Sequence, residues 1–293
     1  VNGAQFLFES RVTDVVRQRD LTWQLNIDGS EPVLAKYVVN AAGVHVDDIN
    51  AMFGHGEFDI VARKGCFLTF DRVARPLFSH IVMPVLGAVG RAHIAPTIHG
   101  AVAIGPMLTD AADKDDSSVT PADLDALLDF GDAVAPRLMR YEVTSMHAGL
   151  IPASDQNDLQ IQAHPAQRYI TVGAIGSRGL TASMAIAEHV SGLLAAMGLD
   201  LREPADSTIP VMPNIGEHFL RPYQRPDVVD SDAAYGDIVC ACERVTRGEV
   251  RDCLATPLPP TSVAGVARRT RVTLGRCQGA QCGSTVRQML EAR

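Results

Sequence analysis

Five of the six cysteines crowd into the last 54 residues, and four of them form a spaced pattern. The pattern is Cys240-Ala241-Cys242, then 34 residues, then Cys277-Gln278-Gly279-Ala280-Gln281-Cys282. Thiolates select soft metals: zinc, copper(I) or iron–sulfur clusters. Structural zinc pairs are usually separated by two to four residues, so a one-residue gap opposite a four-residue gap fits zinc poorly. Four thiolates suit a [2Fe-2S] cluster, two to each iron. The flanking Arg244, Arg268, Arg269, Arg271 and Arg276 would offset the negative charge of such a centre. Whatever else the chain does, its end must fold around these four positions.

Charge divides the chain at the same place. Residues 240–293 carry nine arginines against four acids, a net +5 in a chain of formal net charge −8, and the preceding 239 residues are therefore at −13. A step of that size marks a module boundary. The acidic balance argues against nucleic acid as a partner. No apolar run approaches the roughly 20 residues of a membrane helix. A disulfide framework would spread its pairs through a small chain, so this clustering reads as metal binding. At 293 residues, length alone suggests two domains.

Ahead of the boundary, Phe6-Leu7-Phe8, Val12 to Val16 and Trp23 to Ile27 read as strands of a meander, with Asp28-Gly29 as a turn. Tyr37-Val38-Val39 is a short buried strand running into Asn40-Ala41-Ala42-Gly43, and Val46 to Phe53 has helical spacing that stops at Gly54. Residues 58–109 suit an antiparallel sheet. Thr120-Pro121 opens a helix with Leu124, Leu127, Leu128 and Val134 on its apolar face. Leu159 to Ala163 and Tyr169 to Ala174 are two further strands, and a helix is predicted from about Thr181 to Met197, ending at Gly198. Residues 200–236 contain five prolines and read as a linker or wrapping segment. The domains expected are 1–199, a Pro-rich linker 200–236, and 237–293.

Cys240-Ala241-Cys242-Glu243-Arg244-Val245-Thr246-Arg247-Gly248-Glu249-Val250, with Arg268-Arg269-Thr270-Arg271 and Gly275-Arg276-Cys277-Gln278-Gly279, resembles the bacterioferritin-associated-ferredoxin-like [2Fe-2S] domain. Thr246 and Glu249 have the spacing of a helix capping box, and Cys253 falls on that helix's apolar face with Val250 and Leu254.

Two upstream segments suggest where a dinucleotide would lie. The strand ending Asn40-Ala41-Ala42-Gly43 finishes in small residues that let backbone approach a ligand. Gly173-Ala174-Ile175-Gly176-Ser177-Arg178-Gly179-Leu180-Thr181 sets a glycine turn at a helix N-terminus, where free amides favour a negative group. A third segment, Val61 to Leu68, carries adjacent cations Arg63 and Lys64. In this order, with Ala95-Pro96-Thr97-Ile98-His99-Gly100, Ile104-Gly105-Pro106 and Ala148-Gly149-Leu150, they resemble the FAD-dependent oxidoreductases typified by D-amino-acid oxidase and glycerol-3-phosphate dehydrogenase.

That resemblance implies an α/β (α+β) fold. It would be the C-terminal part of a Rossmann-like FAD domain plus an antiparallel-sheet substrate domain, followed by a small, mainly helical [2Fe-2S] domain. It implies FAD near Asn40, Ala41, Ala42, Gly43, Gly176, Gly179, Leu180 and Thr181, and a cluster on Cys240, Cys242, Cys277 and Cys282. Family members usually carry Arg after the Ala-Gly-Leu element, where Ile151 stands here, and Arg178 is the candidate replacement for that cation. His147, just before the element, is the candidate general base; the Asp47-Asp48 pair and Asp113, Asp115 and Asp116 read as solvated faces. The implied function is a glycerol-3-phosphate-dehydrogenase-like enzyme passing substrate electrons through FAD and the cluster to an external acceptor, a protein or quinone-linked subunit. The substrate would be a small molecule: a polyol phosphate, a hydroxy acid or an amine. The rivals are an amino-acid, amine or 2-hydroxy-acid dehydrogenase of the same fold, and a non-catalytic electron-transfer protein. Cluster chemistry favours a cytoplasmic location, with any membrane association through a partner. Family members open on a Gly-x-Gly-x-x-Gly turn that seats the FAD pyrophosphate; the pattern is absent here, Gly87-Ala88-Val89-Gly90 failing the spacing. With Val1 in place of Met, the expectation is that roughly the first third of the enzyme is missing, leaving a fragment that holds the cluster but not FAD.

Overall fold

The structure is a computed structural model that describes residues 4–84, 92–156, 158–202 and 216–292. The Gly87–Gly90 near-match and Pro204, Pro210 and Pro213 of the expected linker lie outside the described residues. The chain forms two compact units, one of Val1–Gly65, Leu108–Ser117 and Gly149–Ile209, the other of Cys66–Met107, Ser118–Ala148 and Pro210–Arg293.

In the first unit the meander forms as its alternation predicts. Strands Val12–Arg17, Trp23–Ile27 and Val33–Ala35 pair antiparallel, with Val15 opposite Leu25 and Arg17 opposite Trp23. Phe6-Leu7-Phe8 is a correction: it forms no strand and all three side chains are exposed. A strand needs a partner edge, and Val12–Arg17, the first strand of the meander, pairs only with Trp23–Ile27.

A second sheet places Tyr169–Gly173 between Val38–Asn40, parallel, and Gln160–His164, antiparallel. The central strand is buried at every residue, which explains its unbroken apolar reading. Beneath the parallel pair lies a buried polar knot. Asn40 Nδ2 donates to the Val46 carbonyl (2.8 Å), the Tyr169 hydroxyl (2.8 Å) and Asn50 Oδ1 (3.1 Å). Asn50 Oδ1 also accepts from the Tyr169 and Thr171 hydroxyls. This knot ties the strand to helix Val46–Met52, which ends at Gly54 with φ +83°. Phe53 stacks on Tyr169 at 3.9 Å and meets Trp23 edge-on at 4.6 Å.

The helix after the second glycine turn spans Gly179–Ala196, two residues earlier than its spacing predicts, and none of its residues is buried. Leu180 and Met184 are 91% and 81% exposed.

The second unit is built on a four-stranded sheet in the order His93–Pro96, Val102–Asp110, Ile60–Phe70, Val143–Ser154. The unit boundaries cut three of these strands, after Gly65, Met107 and Ala148. Helix Pro121–Val134 carries the expected Thr120 cap, reciprocated by Asp123, and buries Leu127 and Phe130 among Leu68, Phe70, Ile94 and Ile104. The C-terminal module begins with the hairpin Ile238–Cys240 and Val245–Thr246 and continues through helices Arg247–Leu254, Val263–Thr270 and Gly283–Glu291. Val245, Val250, Val266, Val272 and Val286 are completely buried there, and Cys253 joins them as its helical position predicts. Thr246 and Glu249 make the capping box in both directions. The described part of the proline-rich segment lies against this module: Arg221 pairs with Glu249 (2.6 Å), and Arg251 with Asp232 (2.5 Å).

Candidate functional site

The hairpin turn and the loop before the last helix bring the four spaced cysteines together. Cys240 and Cys282 are 1% exposed; Cys242 and Cys277 are half-buried, and all are free thiols. The four thiols are neighbours: Cys242 interacts with Cys277 and Cys240, and Cys282 with Cys240 and Cys277. Among the described residues, no three cysteine sulfurs lie within 4.8 Å of one another. A tetrahedral zinc would need all four about 3.8 Å apart, given Zn–S bonds of about 2.3 Å. Four thiols spread over two irons fit this spacing better.

The backbone is shaped around these sulfurs. Thr273, Gln278 and Gly279 all have positive φ. A Cβ on Gly275 would fall 2.3 Å from that of Cys242, so only glycine lets the loop close on the hairpin. Backbone N–H groups of Gln281, Gly279 and Ala280 face the Cys277 sulfur, with the Cys242 thiol beside it, and hold its pKa below the ordinary thiol value. Such converging amides form a nest for negative charge. At Cys242 the Cys277 N–H acts in the same direction, but burial and the neighbouring thiols outweigh it and the net shift is upward. Burial and Cys240 push Cys282 up to about 11. Four thiols crowded together, one of them beside converging amides, are the donor set of a soft-metal centre.

Three of the arginines beside the centre also make protein contacts, and Arg276 still feels the Cys242 charge. Arg271 binds Glu243 (3.0 Å), Arg269 donates to Thr256 and to the Leu258 carbonyl, and Arg276 grips Asp71 with two bonds, 3.0 and 3.1 Å. Asp71 is 6% exposed and also caps Val73. This pair ties the Cys277 loop to the segment following strand Ile60–Phe70.

In the other unit, the two glycine turns follow neighbouring parallel strands, with Asn40 in register with Thr171. Each turn contains a left-handed glycine, Gly43 at +63° and Gly176 at +66°, followed by a short 3-10 segment and then a helix. No atom lies within 4 Å of a Cβ built on Gly43, Gly176 or Gly179, so the backbone is open to a ligand at all three. Ala41 and Ala42 line a cavity of about 800 Å³ with Val38, Val39, Ile49 and Met52. These strand ends fit a dinucleotide approaching their carboxyl side. The Asn40 side chain is not free for it: its amide nitrogen is engaged in the buried knot and its oxygen accepts from the Ala42 N–H (3.2 Å).

Residues 1–193 match the family described as FAD dependent oxidoreductase, and residues 238–292 match the BFD-like [2Fe-2S] binding domain. The chain belongs to the FAD-dependent oxidoreductases. It is 28% identical over 296 residues to glycerol 3-phosphate dehydrogenase of Caloramator mitchellensis, a match that covers 99% of this chain and 60% of that protein. It is 23% identical over 341 residues to one of the subunits of the anaerobic glycerol-3-phosphate dehydrogenase of Escherichia coli (strain K12), covering 99% and 59%. The chain thus spans about 60% of the length of these curated relatives. Among solved structures, glycerol-3-phosphate dehydrogenase from Bacillus halodurans complexed with FAD has a TM-score of 0.54 at 27% identity, over 69% of this chain and 41% of the other. L-alpha-glycerophosphate oxidase from Mycoplasma pneumoniae with FAD bound shares the fold, with a TM-score of 0.57 at 24% identity, over 64% and 50%.

Within this FAD-dependent oxidoreductase, His147 and Arg178 fall in different compact units. The Phe67 ring stacks on His147 at 5.2 Å, and the resulting loss of hydration lowers its pKa. Arg178 is exposed, its nearest hydrogen-bond acceptor the Ile175 carbonyl at 3.5 Å. Of the acidic residues read as solvated faces, Asp48, Asp113, Asp115 and Asp116 are exposed, and Asp47, 13% exposed at its side chain, is the correction. Asp47 and Asp48 bind Lys114 at 2.6 and 3.3 Å, and His45 bridges Asp48 (2.8 Å) and Asp115 (3.0 Å). The Asp48 bond is the main cause of the raised His45 pKa. The pairs with Lys114 and Asp115 join residues distant in the chain, and no local spacing announced them.

Proposed function

We propose that this chain is part of a FAD-dependent dehydrogenase that oxidises glycerol 3-phosphate or a close relative and delivers single electrons to an external acceptor subunit. The observation that carries the reading is a group of four neighbouring thiols in a chain whose earlier part belongs to a flavin-binding family. Cys240, Cys242, Cys277 and Cys282 would hold the [2Fe-2S] cluster. The main chain at Ala41, Ala42, Gly43, Gly176, Gly179, Leu180 and Thr181 would face the flavin. When bound, the flavin supplies two-electron chemistry and the cluster one-electron chemistry. The chain's own contribution is positional. Gly275 allows the thiols to meet, the amides at 279–281 stabilise thiolate charge, and the Asp71–Arg276 pair anchors the loop. His147, neutral near pH 7, would take a substrate proton, and Arg178 would bind the anionic group.

In this reading residues 1–199 are the flavin and substrate region, 200–236 the connecting segment and 237–293 the cluster domain. No helix among the described residues is long and apolar enough to cross a membrane; the proposed location is cytoplasmic. Ile151, half-buried where the family usually has Arg, favours an amino acid or amine as the second reading.

Reconstitution with ferrous iron and sulfide should give visible cluster absorption that any of the four Cys→Ser variants removes. Glycerol 3-phosphate, a 2-hydroxy acid and an amine are then added anaerobically to the FAD-loaded protein. Bleaching by glycerol 3-phosphate supports the substrate named; bleaching by an amine alone replaces it; cluster bands with no flavin uptake point to an electron carrier.

A further inference from the structure

A cavity of about 350 Å³ in the second unit belongs to neither cofactor site. Its wall contains five arginines, Arg72, Arg75, Arg221, Arg244 and Arg271, and two acids, Glu217 and Glu243. Three of the arginines are neutralised: Arg75 by Glu217 (2.9 Å), Arg271 by Glu243 (3.0 Å) and Arg221 by Glu249 (2.6 Å). The other two donate only to neutral acceptors among the described residues. Arg72 donates to the His99 carbonyl (2.8 Å) and Arg244 to the Tyr223 hydroxyl (3.1 Å). The cavity therefore holds two surplus positive charges.

A further feature marks it as built. Gly100, at φ +88°, keeps the wall open: a Cβ there would lie 3.0 Å from Glu217 Oε2 and 3.7 Å from an Arg72 terminal nitrogen. The volume is at the small end of ligand pockets. It leaves room for a compact ligand.

We propose that this cavity binds a small dianion between Arg72 and Arg244. Guanidinium forks match the paired oxygens of phosphate and carboxylate, and two surplus charges match a dianion. A phosphate group and a dicarboxylate present the same chemistry to such a site. Arg244 is separated from Cys242 only by Glu243, so an occupant sits beside the thiol-bearing turn.

The test is isothermal titration of the chain with inorganic phosphate and, separately, malonate. The expected result is one saturable site, with affinity reduced about tenfold in each of Arg72→Gln and Arg244→Gln. Both arginines are exposed, so melting midpoints should stay at the parent value. Binding of phosphate alone identifies a phosphate-bearing ligand, and binding of both identifies any compact dianion; either supports the proposal. Absence of saturable binding of both probes through the millimolar range overturns it, as does unchanged affinity in the two variants.

Discussion

Replacing Asn50 by Leu tests whether the first unit is held by polar specificity rather than bulk burial. Asn50 is 1% exposed, and its Oδ1 accepts from the Thr171 hydroxyl (2.7 Å), the Tyr169 hydroxyl and Asn40 Nδ2 (3.1 Å). Leucine is nearly the same shape but accepts nothing. Asn40 keeps the Val46 carbonyl and the Tyr169 oxygen, so the loss falls on two buried hydroxyls. Each stranded donor costs about 1–3 kcal/mol. Against this, Asn50 Nδ2 is itself buried without a partner, and its removal returns roughly 1 kcal/mol. The net expectation is a destabilisation of about 1–5 kcal/mol, centred near 3, read as a clearly lowered midpoint. The assay is intrinsic to the protein: its one tryptophan, Trp23, packs on Phe53, which stacks on Tyr169. Its fluorescence therefore follows this unit. Thr171→Val removes one donor and strands nothing, because Asn50 Oδ1 keeps two others, and should cost less than about 1 kcal/mol. Equal midpoints for Asn50→Leu and the parent, or equal losses for both variants, would refute the argument.

Three other outcomes follow from the geometry. Gly275→Ala should leave the protein folded but unable to assemble a cluster, read as loss of visible absorption after reconstitution, because its Cβ would sit 2.3 Å from that of Cys242. Asp71→Asn should keep the Val73 cap but lose the charge opposite Arg276, lowering the stability of the second unit by about 1–2 kcal/mol after allowance for the half-exposed arginine. Burial alone would raise the Asp71 pKa, but its bonds from Arg276 and Val73 outweigh this and hold it below 3.8; that stabilisation is complete above 3.8 and is lost as pH falls through the depressed value, which acid-unfolding curves of parent and variant should show. His45 has the opposite sign. Its pKa is raised from 6.5 by Asp48, so the tether to Asp115 is fully present below 6.5 and is lost as pH rises through the elevated midpoint. An NMR titration of the His45 ring with a midpoint at or below 6.5 would remove that role.

Local chemistry was legible wherever one short segment carries its own signal. The spacing of Thr246 and Glu249 sufficed for their capping box, and Thr120-Pro121 for its helix start, because both ends of each interaction lie within one turn. Cys253 was separable from the other cysteines because helical period alone puts it with Val250 and Leu254. Phe6-Leu7-Phe8 misled for the complementary reason: an apolar run states a propensity, and a strand exists only where another edge receives it.

The sequence by itself determined that the chain ends in a soft-metal module and that two small-residue strand ends precede helices, since residue type and spacing carry that chemistry. Tertiary structure alone decided that Asn40 serves the fold with its side chain. It also decided that Arg276 anchors to Asp71 and that Arg72 and Arg244 face one cavity. Each of these depends on groups distant in sequence meeting within a few ångströms, and pairwise electrostatics and hydrogen bonding are functions of that distance and not of sequence position.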